Sequence, residues 1–233
     1  MSSERPFPAL SSLPGFDPRM VPVAAVDSHL PAIAPAALDA QALRSRFEAQ
    51  PVWVPEYLEE PRFSDRMPTP ASVLIAIVAR DEPMVLLTQR TAHLSSHSGQ
   101  IAFPGGKQDP TDPDLTSTAL REAQEEIGLD AAYVQVLGAL PIYRTGSQFV
   151  VTPVVALLRD GFDLERNAFE VDDIFEVPLA YLMNPAHHRH HVVDIHGVRR
   201  EWLSMPYQQG KTERFIWGAT AGMLRNFYRF LSA

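Results

Sequence analysis

The chain has 233 residues and a mass of 25.9 kDa, room for one generous domain or for a domain with an extension. With 45% apolar and 21% charged residues it has the make-up of a protein that buries a core, which excludes an intrinsically disordered chain. A net charge of −8 with no basic run argues against a nucleic-acid partner, and no apolar stretch approaches the ~20 residues of a membrane span.

The lack of cysteine removes disulfides, thiolate zinc sites and a thiol nucleophile. The first 13 residues hold no signal-peptide apolar centre, so the cytoplasm is the expected compartment. Thirteen of the 21 prolines fall in residues 1–83. Residues 1–70 therefore read as a proline-rich arm with one short helix over 37–47, where Leu38, Ala42, Leu43 and Phe47 share helical spacing. That arm is a tail, a strap over the core or a contact in a homodimer, and the sequence does not choose.

From residue 71 onward the texture is that of an α+β domain, 71–233. Residues 73–79 and 85–88 are β-rich and flank the turn-like Asp81-Glu82-Pro83, which predicts a hairpin. A helical period runs over 115–129. Residues 133–140 and 149–158 read as strands, the second nearly all apolar and so central. Residues 192–195 and 200–207, joined through His196-Gly197, predict a second hairpin, and 219–231 a closing amphipathic helix.

The helix over 115–129 carries the chemistry. Asp112-Pro113 suits its start and Gly128 its stop. Leu115, Ala119, Leu120, Ala123 and Ile127 form a stripe for burial, and Glu122, Glu125 and Glu126 are placed on the opposite side. At spacings of three and four residues these carboxylates stand roughly 5–6 Å apart at Cβ, where like charges destabilise an isolated helix. They also lie late in the helix, where the dipole disfavours anions. Two readings stand: a solvated face steadied by an Arg121–Glu125 pair, or an oxygen-rich site for Mg²⁺ or Mn²⁺.

The whole string bears on that choice. Gly106 through Arg121-Glu122-Ala123-Gln124-Glu125-Glu126-Ile127-Gly128-Leu129 resembles the Nudix box, G-x5-E-x7-R-E-U-x-E-E-x-G-U with U aliphatic. It has Asp112 for the first acid and eight residues rather than seven before Arg121, which favours a capping role for Asp112. Upstream, residues 86–106 resemble the coenzyme A pyrophosphatase signature LLTxR-[SA]-x3-R-x3-G-x3-FPGG, keeping Leu86, Leu87, Thr88, Arg90, Gly99, Phe103, Pro104, Gly105 and Gly106. Thr91 and Ser95 depart from it, the latter replacing an arginine suited to a substrate phosphate, with Arg90, His93 or His97 as substitutes. Thr152-Pro153-Val154-Val155, the stretch 170–179 and Trp217-Gly218 continue the likeness to bacterial members.

The resemblance implies a Nudix α/β/α sandwich around a mixed sheet and metal-dependent hydrolysis of the coenzyme A diphosphate to 3′,5′-ADP and 4′-phosphopantetheine. It implies Glu122, Glu125 and Glu126 as metal ligands, Glu125, Arg121 and the candidate base Glu170 as catalytic residues, and Arg90, Gly99, Phe103, Gly105 and Gly106 as substrate-binding residues; Glu170 reads equally as part of a solvated run with Asp172 and Asp173. Mg²⁺ or Mn²⁺ is the expected cofactor and a small molecule the expected partner. The Ser95 departure leaves room for ADP-ribose or a dinucleotide instead. A non-catalytic ligand sensor is a further reading, against which all three glutamates count. The His187-His188-Arg189-His190-His191 tract is expected to be an exposed strand start rather than a metal site, or a positive patch for a 3′-phosphate at low pH. Trp202, Tyr207 and Trp217 are candidates to stack an adenine, though late-strand aromatics more often pack in a core.

Overall fold

The structure, a computed structural model, describes residues 10, 13, 15–93, 99–195 and 197–233. Ser95, His97 and His196 lie outside them. In chain order the elements are β1 (Val23–Val26), α1 (Ala40–Glu48), β2 (Thr69–Val78), β3 (Met84–Arg90), β4 (Ile101–Ala102), β5 (Gly105–Lys107) and α2 (Leu115–Ile127). There follow β6 (Val134–Ala139), β7 (Tyr143–Arg144), β8 (Phe149–Leu158), β9 (Val171–Pro178), α3 (Leu179–Leu182), β10 (Arg189–Ile195), β11 (Val198–Gln209), β12 (Thr212–Trp217) and α4 (Gly218–Ser232).

The apolar runs of β2 and β8 pair in parallel along their full length, from Thr69 with Phe149 to Val78 with Leu158. The remaining pairings of that sheet are antiparallel, β4–β3–β2–β8–β6 with β5 on β2, β7 on β8 and β9 on β3. Alternation along β2 then divides the core. Leu74, Ala76 and Val78 face Ala119, Ala123 and Ile127 of α2, while Ile75 and Ile77 join the cluster holding Phe227 and Phe230 of α4 and Leu43 and Phe47 of α1. Helices thus cover both faces of a mixed sheet. This is the expected α+β sandwich.

A second sheet, β1–β10–β11–β12, is entirely antiparallel. The predicted second hairpin is its β10–β11 pair. The arm supplies its edge strand β1, so over its described residues the arm is a strap built into the core rather than a tail. Leu38 and Leu43 are fully buried, and Asp39 caps α1 through the Ala42 amide at 2.8 Å. Arg225 of α4, buried to 3% exposure, reaches Asp27 at 3.0 Å and Glu56 at 2.8 Å, and Asn226 Oδ1 accepts the Glu56 and Tyr57 amides at 2.9 and 3.0 Å. A buried cation needs such partners, and both of its carboxylates come from the arm. Farther along, Arg144 N donates to Leu58 O at 2.8 Å and Phe63 N to Gly146 O at 3.0 Å, tying residues 58–63 to the β7 edge. Among the described residues no helix is long and apolar enough to cross a membrane.

Candidate active site

The helix that carries the glutamates begins two residues later than Asp112-Pro113 suggests. Asp114 is the cap, its carboxylate accepting the Ser117 amide at 2.7 Å, and Gly128 closes the helix in the left-handed region at φ 68°. Asp112 has other work. Its carboxylate accepts from Arg121 Nε at 2.9 Å, Arg121 Nη2 at 3.0 Å, Thr118 Oγ1 at 2.9 Å and the Asp109 amide at 2.9 Å. The Arg121 guanidinium holds this carboxyl well below the usual carboxylate range. Asp112 is therefore neither the cap nor free to take a metal; it anchors Arg121.

Arg121 in turn spreads its fork across the site. It donates to Glu122 Oε1 and Glu125 Oε2, each at 2.9 Å, and to Lys107 O at 3.1 Å. Arg121 thus ties the helix to β5. Glu125 points to the solvent side of α2, with its side chain 56% exposed. Glu126 does the reverse and corrects the expectation that all three glutamates oppose the buried stripe. It is 3% exposed. One turn on from Glu122 and beside Ala119 and Ala123, it reaches inward to the Gly105 amide (3.1 Å) and Arg90 Nη1 (3.4 Å).

Glycine is required where β5 passes this cluster. A Cβ on Gly105 would lie 2.4 Å from Ser72 O, and one on Gly106 would lie 2.5 Å from the Glu122 carboxyl carbon. The two glycines bring backbone against carboxylate, and Glu122 fills the space a side chain on Gly106 would take.

A cavity of about 770 Å³ opens here, within the range of sites for small organic ligands. Arg90, Phe103, Gly105, Gly106, Glu122, Glu126 and Glu170 line it; Gly99, Arg121 and Glu125 do not. Gly99 occupies the left-handed region at φ +67° beyond the undescribed residues. Burial, reinforced by the charges of Glu122 and Glu170 against the opposing pull of Gly105 N–H and Arg90, pushes Glu126 up to about 7. Burial likewise raises Glu122, with Glu125 and Glu170 adding to it. The Arg90 Nε–H has no partner among the described residues.

Among the described residues the side chains as they stand close no cage of three metal-ligating groups. The donor chemistry nevertheless fits a hard divalent cation. Glu122, Glu126 and Glu170 bring carboxylate charge to one cavity, where Glu122 and Glu170 raise the proton affinity of Glu126 and Glu170 adds to that of Glu122, and a cation relieves that repulsion.

The histidines serve the framework. His188 Nε2 meets Leu182 O at 2.7 Å and Nδ1 meets Arg225 at 3.0 Å, and burial lowers it to about 4. His190 pairs with Asp27 at 2.7 Å, while His191 bonds Val21 O and Ser204 Oγ and stacks on Trp202. His187 stacks on Tyr181. Spread over separate partners, they form neither a metal cluster nor a positive patch, and the tract is not exposed as a whole. Trp202 and Trp217 line the cavity as well as packing edge to face; Tyr207 packs against Tyr181 away from it. Sequence reading missed the arm's part in the cavity, where Tyr57, Glu60 and Phe63 form wall. Only the tight clustering of aromatics and acids over residues 53–63 hinted at it.

A NUDIX domain model matches residues 68–204 of this chain. The chain is 47% identical over 158 residues to the uncharacterized Nudix hydrolase NudL of Yersinia enterocolitica, covering 66% of this chain and 77% of that protein. It is 44% identical over 163 residues to the protein of the same name in Yersinia pestis, covering 70% of this chain and 79% of that one. Among solved structures, a Nudix hydrolase from M. smegmatis, RenU, aligns at a TM-score of 0.43 and 22% identity over 53% of this chain and 79% of that one, a loose agreement.

Proposed function

This chain belongs to the Nudix hydrolase family, whose members generally use divalent metal ions such as Mg²⁺ or Mn²⁺, and from that premise we propose that it hydrolyses the diphosphate bond of coenzyme A or its thioesters. The products are 3′,5′-ADP and 4′-phosphopantetheine or its acylated form. The observation that carries the proposal is a meeting of two motifs. Arg90 and Gly105, from the stretch resembling the coenzyme A signature, converge on Glu126 from the stretch resembling the Nudix box.

Glu122 and Glu126 are the proposed metal ligands inside the cavity, and Glu125, held by Arg121, the third from the same helix. When bound, the ion would supply charge neutralisation for the diphosphate and make the attacking water more acidic. The chain's own residues do the rest. Arg90 lines the cavity, where its guanidinium would meet a phosphate oxygen, and its Nη1 steadies Glu126. Gly105 and Gly106 let the diphosphate approach the backbone. Arg121 fixes Glu122 and Glu125 relative to β5, a positioning role. Glu170, on the cavity wall where the chain enters β9, is the proposed base: its carboxylate takes the proton of the attacking water while a phosphate leaves with the anhydride oxygen.

Product analysis with coenzyme A, ADP-ribose and NADH, each with Mg²⁺, Mn²⁺ or EDTA, tests this reading. It predicts metal-dependent release of 3′,5′-ADP from coenzyme A at the highest kcat/KM. A preference for ADP-ribose or NADH would overturn the substrate and keep the diphosphatase chemistry.

A further inference from the structure

Resting on the assignment of Glu170 as base, we propose that Thr91 and Asn167 are positioning residues, fixing that carboxylate between Arg90 on one side of the cavity and Glu126 on the other. The acidic run around Glu170 divides in the structure. Asp173 pairs with Arg214 at 2.5 Å and Asp172 is exposed, whereas Glu170 is half-buried and lines the cavity. A bulge produces this division: Gln89 stands opposite Asp173 and Arg90 opposite Val171, so Asp172 is the extra residue of β9. An extra residue of this kind bends a strand and re-aims the side chains that flank it.

The segment 165–170 that leads into β9 is tied at both ends. At one end it takes carbonyls from the last turn of α2, which no amide of the helix reaches. Glu165 N donates to Ile127 O at 3.0 Å and Asn167 N to Glu126 O at 2.8 Å. Asn167 then closes the turn. Its carbonyl accepts the Glu170 and Val171 amides at 3.0 and 2.8 Å, and its Oδ1 accepts the Phe169 amide at 3.1 Å. At the other end stands Thr91, buried and next to Arg90. It donates its amide to Glu170 O and its hydroxyl to Phe169 O, each at 3.0 Å. This threonine is one of the two departures from the upstream motif, which has serine or alanine there. Its β-branch restricts χ1 and so holds the hydroxyl toward that carbonyl. Neither Thr91 nor Asn167 lines the cavity, so both act through Glu170 rather than on a bound molecule.

Thr91→Val keeps the shape and removes the donor, and Thr91→Ser keeps the donor. Steady-state kinetics are measured for both on coenzyme A and on ADP-ribose, with Glu170→Gln as the reference. Hydrogen exchange of the segment 165–171 is followed in EDTA. Thr91→Val is expected to lower kcat about tenfold on whichever substrate is hydrolysed, with KM within about twofold of wild type. Exchange at the Phe169, Glu170 and Val171 amides should become about tenfold faster. Thr91→Ser should recover most of both. Asn167→Ala, at a half-buried loop position, carries the same expectation if valine at 91 does not fold. Wild-type kcat and exchange in Thr91→Val, set against an inactive Glu170→Gln, overturn the positioning role and leave the base in place. An equal loss in the valine and serine variants overturns it as well. Full activity in Glu170→Gln removes the base and the positioning role together. Turnover of ADP-ribose alone changes the substrate, and the kcat ratios on ADP-ribose then decide.

Discussion

Replacing Glu126 by glutamine separates what the fold wants at this position from what the chemistry wants. In the folded protein, burial pushes the carboxyl from its ordinary 4.5 up to about 7. At 1.36 kcal/mol per unit, that gap makes the folded anion about 3 kcal/mol less favourable than the same group in the unfolded chain. The sign follows from linkage. Between about 4.5 and about 7 the native state binds more protons than the unfolded one, so this group lowers stability as pH rises through that window. The penalty is fully present above it and absent below.

Glutamine keeps a carbonyl oxygen for the Gly105 amide and carries no charge. Glu126→Gln in EDTA at pH 8 is therefore expected to be more stable than the wild type by about 3 kcal/mol, roughly 6–12 °C in melting temperature. The gap should close toward pH 4, and Mg²⁺ should raise the melting temperature of the wild type alone. Urea unfolding at pH 8, 6 and 4 with EDTA reads this directly. A variant equal to or weaker than the wild type at pH 8, or a gap unchanged by pH, would refute the claim that Glu126 is a strained buried anion awaiting a cation.

Other substitutions probe the surroundings. Gly106→Ala should leave the fold intact and move the flexible end of Glu122, lowering kcat on the order of 10²-fold as seen in coenzyme A turnover. Glu125→Gln should abolish turnover while circular dichroism and melting behaviour stay near wild type, since this side chain is exposed; full activity would remove it from the ligand set. Leu43→Ala, in the arm helix, should destabilise the protein by about 2–5 kcal/mol in denaturant titration, because the side chain is fully buried in the main core. A negligible effect would return the arm to the status of a tail.

The parts of this molecule readable in the sequence are those whose pattern is local. The helix α2 shows its stripe and its Gly128 stop, and β8 shows its central place by being apolar on both faces. The helical period of α2 starts at Leu115, as found, but its cap is not legible because Asp112-Pro113 and Asp114 are equally good caps locally. What decides between them is Arg121, nine residues away, which draws Asp112 out of the contest. Glutamate spacing placed Glu122, Glu125 and Glu126 on one side of the helix, yet the Gly105 amide and Arg90 pull Glu126 inward while Arg121 holds Glu125 outward. The arm was the least legible. Its proline-rich segments have no period, and its burial comes from Arg225, Asn226 and the β7 edge, contacts from distant parts of the chain.

The most direct measurement is a calorimetric titration of Mn²⁺ into the wild type and a Glu122→Gln, Glu126→Gln double variant at pH 7.5, with coenzyme A turnover followed in the same samples. Saturable binding and release of 3′,5′-ADP are expected in the wild type, with loss of both in a variant that stays folded. Binding and turnover that survive in the double variant would contradict that expectation.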